Sequence, residues 1–101
     1  MTTFLALRDA EIVGVYFRPP EVKALVKTLE EGTTLQLRRE PENQYDNLAV
    51  AVDLDGTHIG YIPKAINPLI SMFLANGYTS SVVITKAHAS KPLIKVELTQ
   101  P

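Results

Sequence analysis

The dipeptide Asp55-Gly56 constrains the fold of this chain more than any other feature of its sequence. Asp-Gly is typical of the two-residue turn of a β-hairpin, whose central residues adopt positive φ angles. An alternating run precedes it, and residues 57–62 follow as a candidate return strand. The sequence therefore predicts an antiparallel hairpin here, with the alternating apolar residues facing the core. Those residues are Leu48, Val50, Val52 and Leu54.

Other segments show strand or helix periodicity. Alternation predicts strands at residues 12–17, 33–39, 81–86 and 93–99. A helical pattern follows Pro19-Pro20, with apolar residues at positions 22, 25, 26 and 29, and ends at Gly32. A second helical pattern runs through positions 66, 69, 70, 73 and 74 and ends at Asn76-Gly77. Its start, at Pro63 or at Pro68, stays open.

The predicted order of elements is β, α, β, β, β, α, β, β. Short alternating strands that are mostly joined by hairpins favour an antiparallel sheet, and closure of a small sheet removes exposed edges. We expect one mainly β domain over residues 1–101, a small antiparallel barrel of five to six strands with two α-helices. OB-like and SH3-like barrels both fit this pattern.

Composition excludes several classes of function. The chain has no cysteine, which excludes disulfides, thiolate catalysis and zinc sites built on cysteine. Residues 1–8 lack the features of a signal peptide, and no apolar run is long enough to span a bilayer. We expect a cytoplasmic protein that does not bind membranes. The net charge of -1 means that any nucleic-acid site is a local patch.

No pattern of residues indicates catalysis. The two histidines, His58 and His88, stand in none of the spacings typical of metal sites. The chain has no GxSxG motif, and its five glycines are not spaced as a phosphate-binding loop. We therefore expect neither an enzyme nor a metal or other cofactor. Basic residues do lie beside aromatic ones at the ends of predicted elements, which suits single-stranded nucleic acid but equally suits a half-buried structural role.

Three segments carry a resemblance to a known family: residues 13–17 (VGVYF), 35–50 (LQLRREPENQYDNLAV) and 55–64 (DGTHIGYIPK). The chain resembles the HIRAN domain family, and the whole of it looks like a free-standing bacterial or phage-type HIRAN protein. In chromatin-type helicases this domain is an OB-like barrel that captures the 3′-hydroxyl end of single-stranded DNA. The resemblance implies a DNA-binding module for single-stranded 3′ ends, acting in DNA repair or replication-related processes.

The resemblance also implies roles for particular residues. Asp46 matches the carboxylate that accepts a hydrogen bond from the terminal hydroxyl, Tyr45 matches a stacking aromatic, and Lys64 matches a phosphate contact. Arg39 joins the site because it lies beside the central loop. The full expected DNA-binding set is Tyr16, Phe17, Arg39, Asn43, Tyr45, Asp46, Tyr61 and Lys64.

This chain departs from the family pattern in three places. Tyr16, Phe17 and Arg18 stand where an arginine followed by two tyrosines is usual, Gln44 replaces a proline, and Leu48 replaces an asparagine. Two alternatives stay open. Asp46 can instead cap backbone amides of its own loop, and the domain can be a protein-interaction or regulatory module without DNA binding. In that case the strand ending at Thr99, if it is an edge, would pair with a protein partner or form a homodimer.

Overall fold

The computed structural model describes residues 3–101 as one antiparallel sheet with two α-helices and a short 3-10 helix. The strands are β1 (Thr3–Glu11), β2 (Thr34–Arg39), β3 (Val50–Leu54), β4 (Thr57–Tyr61), β5 (Thr79–Lys86) and β6 (Leu93–Thr99). The helices are α1 (Pro20–Val26) and α2 (Asn67–Ala75), and the 3-10 helix is Val15–Phe17. The predicted mainly β class and the number of strands and helices are confirmed.

The strand order is β1-β6-β5-β2-β3-β4, and every pairing is antiparallel. The sheet does not close into a complete barrel. Its two ends meet at an isolated bridge, in which Val13 and Tyr61 exchange backbone hydrogen bonds of 2.9 and 2.8 Å. This contact brings the chain just after β1 against the end of β4.

Gly60 makes the approach of these two segments possible. A Cβ atom at this position would lie 2.6 Å from Ile12 Cγ2 and 2.7 Å from the carbonyl oxygen of Val13. Only a glycine fits under such a close backbone, so this residue determines how tightly the ends of the sheet meet.

The expected hairpin is present. Asp55 and Gly56 have φ angles of 48° and 88°, and β3 and β4 pair on either side of them. The inward residues of the last two strands are also as predicted, since each is at most 1 % exposed. They are Val82, Ile84, Ile94, Val96 and Leu98. The second helix starts at Asn67, with Pro68 in its first turn, and the glycine after it, Gly77, has a φ of 85°.

Three expectations are wrong. Residues 12–17 are not a strand, because Gly14 adopts a left-handed conformation (φ 79°) and turns the chain into the 3-10 helix; the first strand is β1. Leu48 does not face the core but is 41 % exposed, because β3 begins only at Val50. The first helix does not run on to Gly32 but ends at Val26, so the buried Leu29 lies beyond it. The strand ending at Thr99, whose place in the sheet the sequence leaves open, is not an edge, since β6 pairs with β1 on one side and β5 on the other.

Candidate nucleic-acid interface

The loop between β2 and β3 is held in shape by its own side chains. Asn43 Oδ1 accepts hydrogen bonds from the backbone N–H groups of Tyr45 at 2.9 Å and Asp46 at 3.1 Å. Asp46 Oδ1 accepts the N–H of Leu48 at 2.9 Å. These short-range bonds are the turns that Asn and Asp favour. The loop is therefore an ordered platform, and Tyr45 projects from it with 87 % of its surface exposed.

Asp46 also connects the loop to α2. Its Oδ2 atom accepts a hydrogen bond of 2.9 Å from Nδ2 of Asn67, which is only 3 % exposed. The bonds from Asn67 and from the Leu48 amide, with the charge of Lys64, lower the pKa of Asp46 below its ordinary value. Asp46 is thus ionised at neutral pH. Each carboxylate oxygen has one protein partner and retains capacity to accept another hydrogen bond.

Glu40 connects the loop to neighbouring strands through hydrogen bonds of its carboxylate. Its Oε1 atom accepts hydrogen bonds from Asn43 Nδ2 at 3.0 Å and from the Tyr61 hydroxyl at 2.8 Å, and Oε2 lies 3.0 Å from Arg38 Nη1. Burial of Glu40 opposes its ionisation, but the bonds from Asn43, Tyr61 and Arg38 outweigh burial and lower its pKa. Burial, followed by the bond to Glu40, raises the pKa of Tyr61. Glu40 therefore links the loop to β4.

Arg38 continues this network away from the loop. Its guanidinium also reaches the two carboxylate oxygens of Asp53, with Nε 2.9 Å and Nη2 3.3 Å from them. The bond to Asp53 raises the pKa of Arg38 well above its ordinary range. Asp53 is 9 % exposed on β3, so it is a buried partner of Arg38. Arg38 therefore stabilises the sheet through its ion pairs with Glu40 and Asp53.

A cavity of about 290 Å³ lies between this loop, β4 and the start of α2. We call it the loop pocket. An exposed ring, an ionised carboxylate and an exposed ammonium group meet there, contributed by Tyr45, Asp46 and Lys64. Its walls are Val13, Asn43, Tyr45, Asp46, Ala49, Tyr61, Ile62, Lys64 and Asn67.

The structure brings together five of the eight residues expected to bind DNA. Asn43, Tyr45, Asp46, Tyr61 and Lys64 all line the loop pocket. Within it, the Tyr61 hydroxyl donates to Glu40, and the Asn43 amide carries the loop's internal bonds. Tyr61 therefore forms part of the pocket wall, and Asn43 stabilises the conformation of the loop.

The other three expected residues lie outside the loop pocket. Tyr16 and Phe17, on the 3-10 helix, are 74 % and 83 % exposed, and their rings pack edge to face with centroids 5.5 Å apart. They line a neighbouring depression that shares Val13 with the loop pocket. Arg39 points toward α2, where its Nε lies 3.3 Å from Ser71 Oγ, and lines a separate depression with Glu40 and Asn43.

Sequence reasoning missed Asn67 and Glu40 as parts of the site. Each residue acts on a partner 21 positions away in the sequence: Asn67 on Asp46, and Glu40 on Tyr61. A polar residue that is buried beside a binding loop is the available signal, and it requires the tertiary structure.

Among residues 3–101, no group of three or more His, Asp or Glu side chains is arranged to hold a metal ion. None of the helices in the same range has the length and apolar character needed to cross a bilayer.

The chain matches a known protein family over nearly all of its length. The HIRAN domain family matches residues 7–99. The chain belongs to the HIRAN domain family. That match spans the loop pocket and both ends of the sheet, so the resemblance in the three sequence segments extends to the whole HIRAN fold. No curated protein sequence matched the chain.

Solved structures share this fold. A protein from Lactobacillus plantarum is 26 % identical, with a TM-score of 0.81 over 95 % of this chain and 96 % of that one. The HIRAN domain of human HLTF is 19 % identical, with a TM-score of 0.78 over 95 % of this chain and 76 % of that one. The HLTF HIRAN domain in its DNA-bound conformation is 20 % identical, with a TM-score of 0.71 over 98 % of this chain and 79 % of that one.

Proposed function

We propose that this HIRAN domain is a non-enzymatic DNA-binding module that recognises single-stranded DNA at a 3′-hydroxyl end. The observation that carries the proposal is the meeting of Tyr45, Asp46 and Lys64 at one pocket. Two lines of family evidence support DNA as the ligand: the match over residues 7–99 and the DNA-bound conformation of the HLTF domain.

Each of the three side chains suits one part of a strand end. The Tyr45 ring is 87 % exposed on a braced loop, and such a ring can stack on a terminal base. Ionised Asp46 is an acceptor only, so it can accept a hydrogen bond from a hydroxyl and repels a terminal phosphate. Lys64 is exposed nearby and can pair with a backbone phosphate.

The carboxylates of the site suit binding better than acid–base catalysis. Donors from the protein hold both Asp46 and Glu40 in their ionised forms and lower the pKa of each. A general acid near neutral pH needs the opposite shift, a raised carboxyl pKa. We therefore assign these groups to ligand recognition and to bracing the loop.

Fluorescence anisotropy tests the proposal directly. Three labelled ligands are compared: a single strand with a 3′-hydroxyl, the same strand with a 3′-phosphate, and a blunt duplex. We expect the tightest binding to the 3′-hydroxyl strand. Lys64→Gln should weaken both single strands together and reduce the salt slope of log Kd by about 0.7, the contribution of one phosphate contact on a single strand. Equal affinity for the 3′-hydroxyl strand and the 3′-phosphate strand would contradict end recognition.

The competing hypothesis is a protein-interaction module, and the exposure of large apolar side chains on β1 and α2 favours it. Phe4, Leu69 and Met72 are 51 %, 38 % and 52 % exposed, and the Phe4 ring packs against Phe73 with centroids 5.0 Å apart. Light scattering over a range of protein concentrations separates the two hypotheses. A mass that doubles with concentration in the absence of DNA, together with no binding to any strand, would favour the interaction module.

A further inference from the structure

A groove between α1 and the loop that joins β5 to β6 lies beside the exposed aromatic residues. We call it the α1 groove; it has a volume of about 390 Å³, and Tyr16, Lys23, Lys27 and Ser90 are among its walls. The Lys23 ammonium lies over the Tyr16 ring, with Nζ 5.1 Å from the centroid. No acidic side chain lines this groove among residues 3–101.

A third depression, of about 270 Å³, has lining residues in common with both the α1 groove and the loop pocket. That depression shares Val13 with the loop pocket and shares Tyr16 and Ser90 with the α1 groove. Its walls also carry the exposed Phe17 ring and Lys91, along with one carboxylate, Glu11. Three adjoining concavities therefore run from Asp46 to Lys27.

The far wall of this path has a defined conformation. The backbone N–H groups of Ser90 and Lys91 both donate to Nδ1 of His88, at 3.1 and 3.0 Å. The ring of His88 thus holds the tip of the loop between β5 and β6. Lys23 of α1, Lys27 directly after it and Ser90 at the tip of this loop line the same groove.

The charge distribution fits a polyanion. The whole chain has a net charge of -1, so three lysines along one path, Lys23, Lys27 and Lys91, make a local positive stripe. The exposed rings of Tyr16 and Phe17 line the same concavities. Cationic groups that follow a backbone and aromatic faces that stack bases are the two elements of single-strand binding.

We infer that the α1 groove binds the interior nucleotides of a single strand whose 3′ end lies in the loop pocket. Lys23 and Lys27 contact internal phosphates, and Tyr16 and Phe17 stack internal bases. The inference rests on the proposed function, because the end in the loop pocket sets the direction of the strand. It adds a second, length-dependent component of affinity that does not read the chemistry of the end.

Strand length provides the test. Oligo-dT strands of about 3, 6 and 10 nucleotides cover the low end of the range that OB-type sites occupy. The parent protein is compared with the double variant Lys23→Gln/Lys27→Gln. The matched control is Arg8→Gln/Lys95→Gln, which removes the same charge from residues that line none of the three concavities. Thermal unfolding confirms that all three proteins are folded.

We expect parent and control to gain affinity with length, while the double variant binds the longest strand about three- to tenfold more weakly than the parent. Its salt slope should fall by about 1.4, which is two contacts at about 0.7 each. Its preference for a 3′-hydroxyl over a 3′-phosphate should be unchanged. A single neutral methylphosphonate, moved stepwise along the strand, should weaken the parent at interior positions but not the double variant.

Failure of the inference and failure of the proposed function give different results. Selective binding of 3′-hydroxyl ends by the parent with no dependence on strand length, or a double variant that equals the control at every length, would overturn the inference alone. Absence of binding by the parent to every strand would overturn the proposed function and the inference together.

Discussion

Asn67 Nδ2 donates a hydrogen bond of 2.9 Å to Asp46 Oδ2, and this bond joins the loop before β3 to the first turn of α2. Asn67 is 3 % exposed, whereas the loop reaches solvent at Tyr45. The carboxylate that faces the loop pocket is therefore positioned from the protein interior. A structural role and a recognition role for Asp46 are thus compatible, because its capped oxygens can still accept a further hydrogen bond.

The first prediction concerns discrimination of strand ends by Asp46. Asp46→Asn removes the negative charge at nearly constant size. We expect affinity for the 3′-hydroxyl strand to fall about tenfold, because a charge-assisted hydrogen bond is lost. Affinity for the 3′-phosphate strand should fall less or rise, because the repulsion is gone. Anisotropy with the two strands measures the ratio. Glu30→Gln, which removes one negative charge at an exposed residue outside the loop pocket, should keep the parent's ratio.

A second prediction separates stacking from hydrogen bonding at Tyr45. The ring is 87 % exposed, so its replacement should leave the Tm almost unchanged. Tyr45→Leu should reduce affinity by about 1–3 kcal/mol, the contribution of one stacked base. Tyr45→Phe keeps the ring and serves as the matched control, with affinity close to that of the parent. If the leucine and phenylalanine variants bind equally well, Tyr45 does not stack on DNA.

The third prediction is a pH dependence of stability from Glu40. Its pKa in the folded protein lies below the ordinary value of 4.5, so the unfolded chain binds more protons in that range. Stability from Glu40 is therefore fully present above about pH 4.5 and is lost as pH falls through the lower, folded-state pKa. We expect the parent Tm to drop in this acid range.

Glu40→Gln identifies the source of that drop. The variant should have a lower Tm at pH 7, because contacts to Arg38, Asn43 and Tyr61 are weakened. It should then lose less stability than the parent on acidification. Part of the drop should remain, since the pKa of Asp46 is also lowered. Glu42→Gln is the matched control: it removes the same charge from the same loop and should keep the Tm profile of the parent. An identical Tm profile for the parent and Glu40→Gln would show that Glu40 has no part in the acid loss.

Local patterns predicted most of the sheet because the determinants are local. Asp55-Gly56 specifies its own turn, and the alternation of β6 predicted residues 93–99, the observed bounds. The same rule failed at residues 12–17, where apolar residues occupy both alternating sets. Gly14 decides that segment by adopting a φ of 79°, an angle that apolar periodicity does not report. The missed strand, β1, has a weaker pattern, with Leu5 and Leu7 only partly buried.

The candidate site divides in the same way. Tyr45, Asp46 and Lys64 were found through a motif shared with a family, and no spacing rule would have selected them. The bracing contacts of Asn67 and Glu40 depend on how α2 and β4 pack against the loop. Arg39 was selected because it is adjacent to the loop in sequence, but side chains on a strand alternate in direction, and this one reaches Ser71 on α2.

The last prediction connects the closure of the sheet to the site. Gly60→Ala would place a methyl group 2.6 Å from Ile12 Cγ2 and 2.7 Å from the Val13 carbonyl oxygen. The segment that bridges to β4 must then move, at a cost of about 1–3 kcal/mol, and each kcal/mol lowers the Tm of a domain this size by about 4–8 °C. Because Val13 lines the loop pocket, affinity for the 3′-hydroxyl strand should fall as well.

Gly32→Ala is the control for this variant. A methyl group at Gly32 meets no atom within 4 Å, but the residue has a φ of 86°, so backbone strain should lower the Tm while DNA affinity is retained. Calorimetry and anisotropy on the two variants separate the effects, and a Gly60→Ala protein that binds as tightly as Gly32→Ala would show that the bridge does not shape the site.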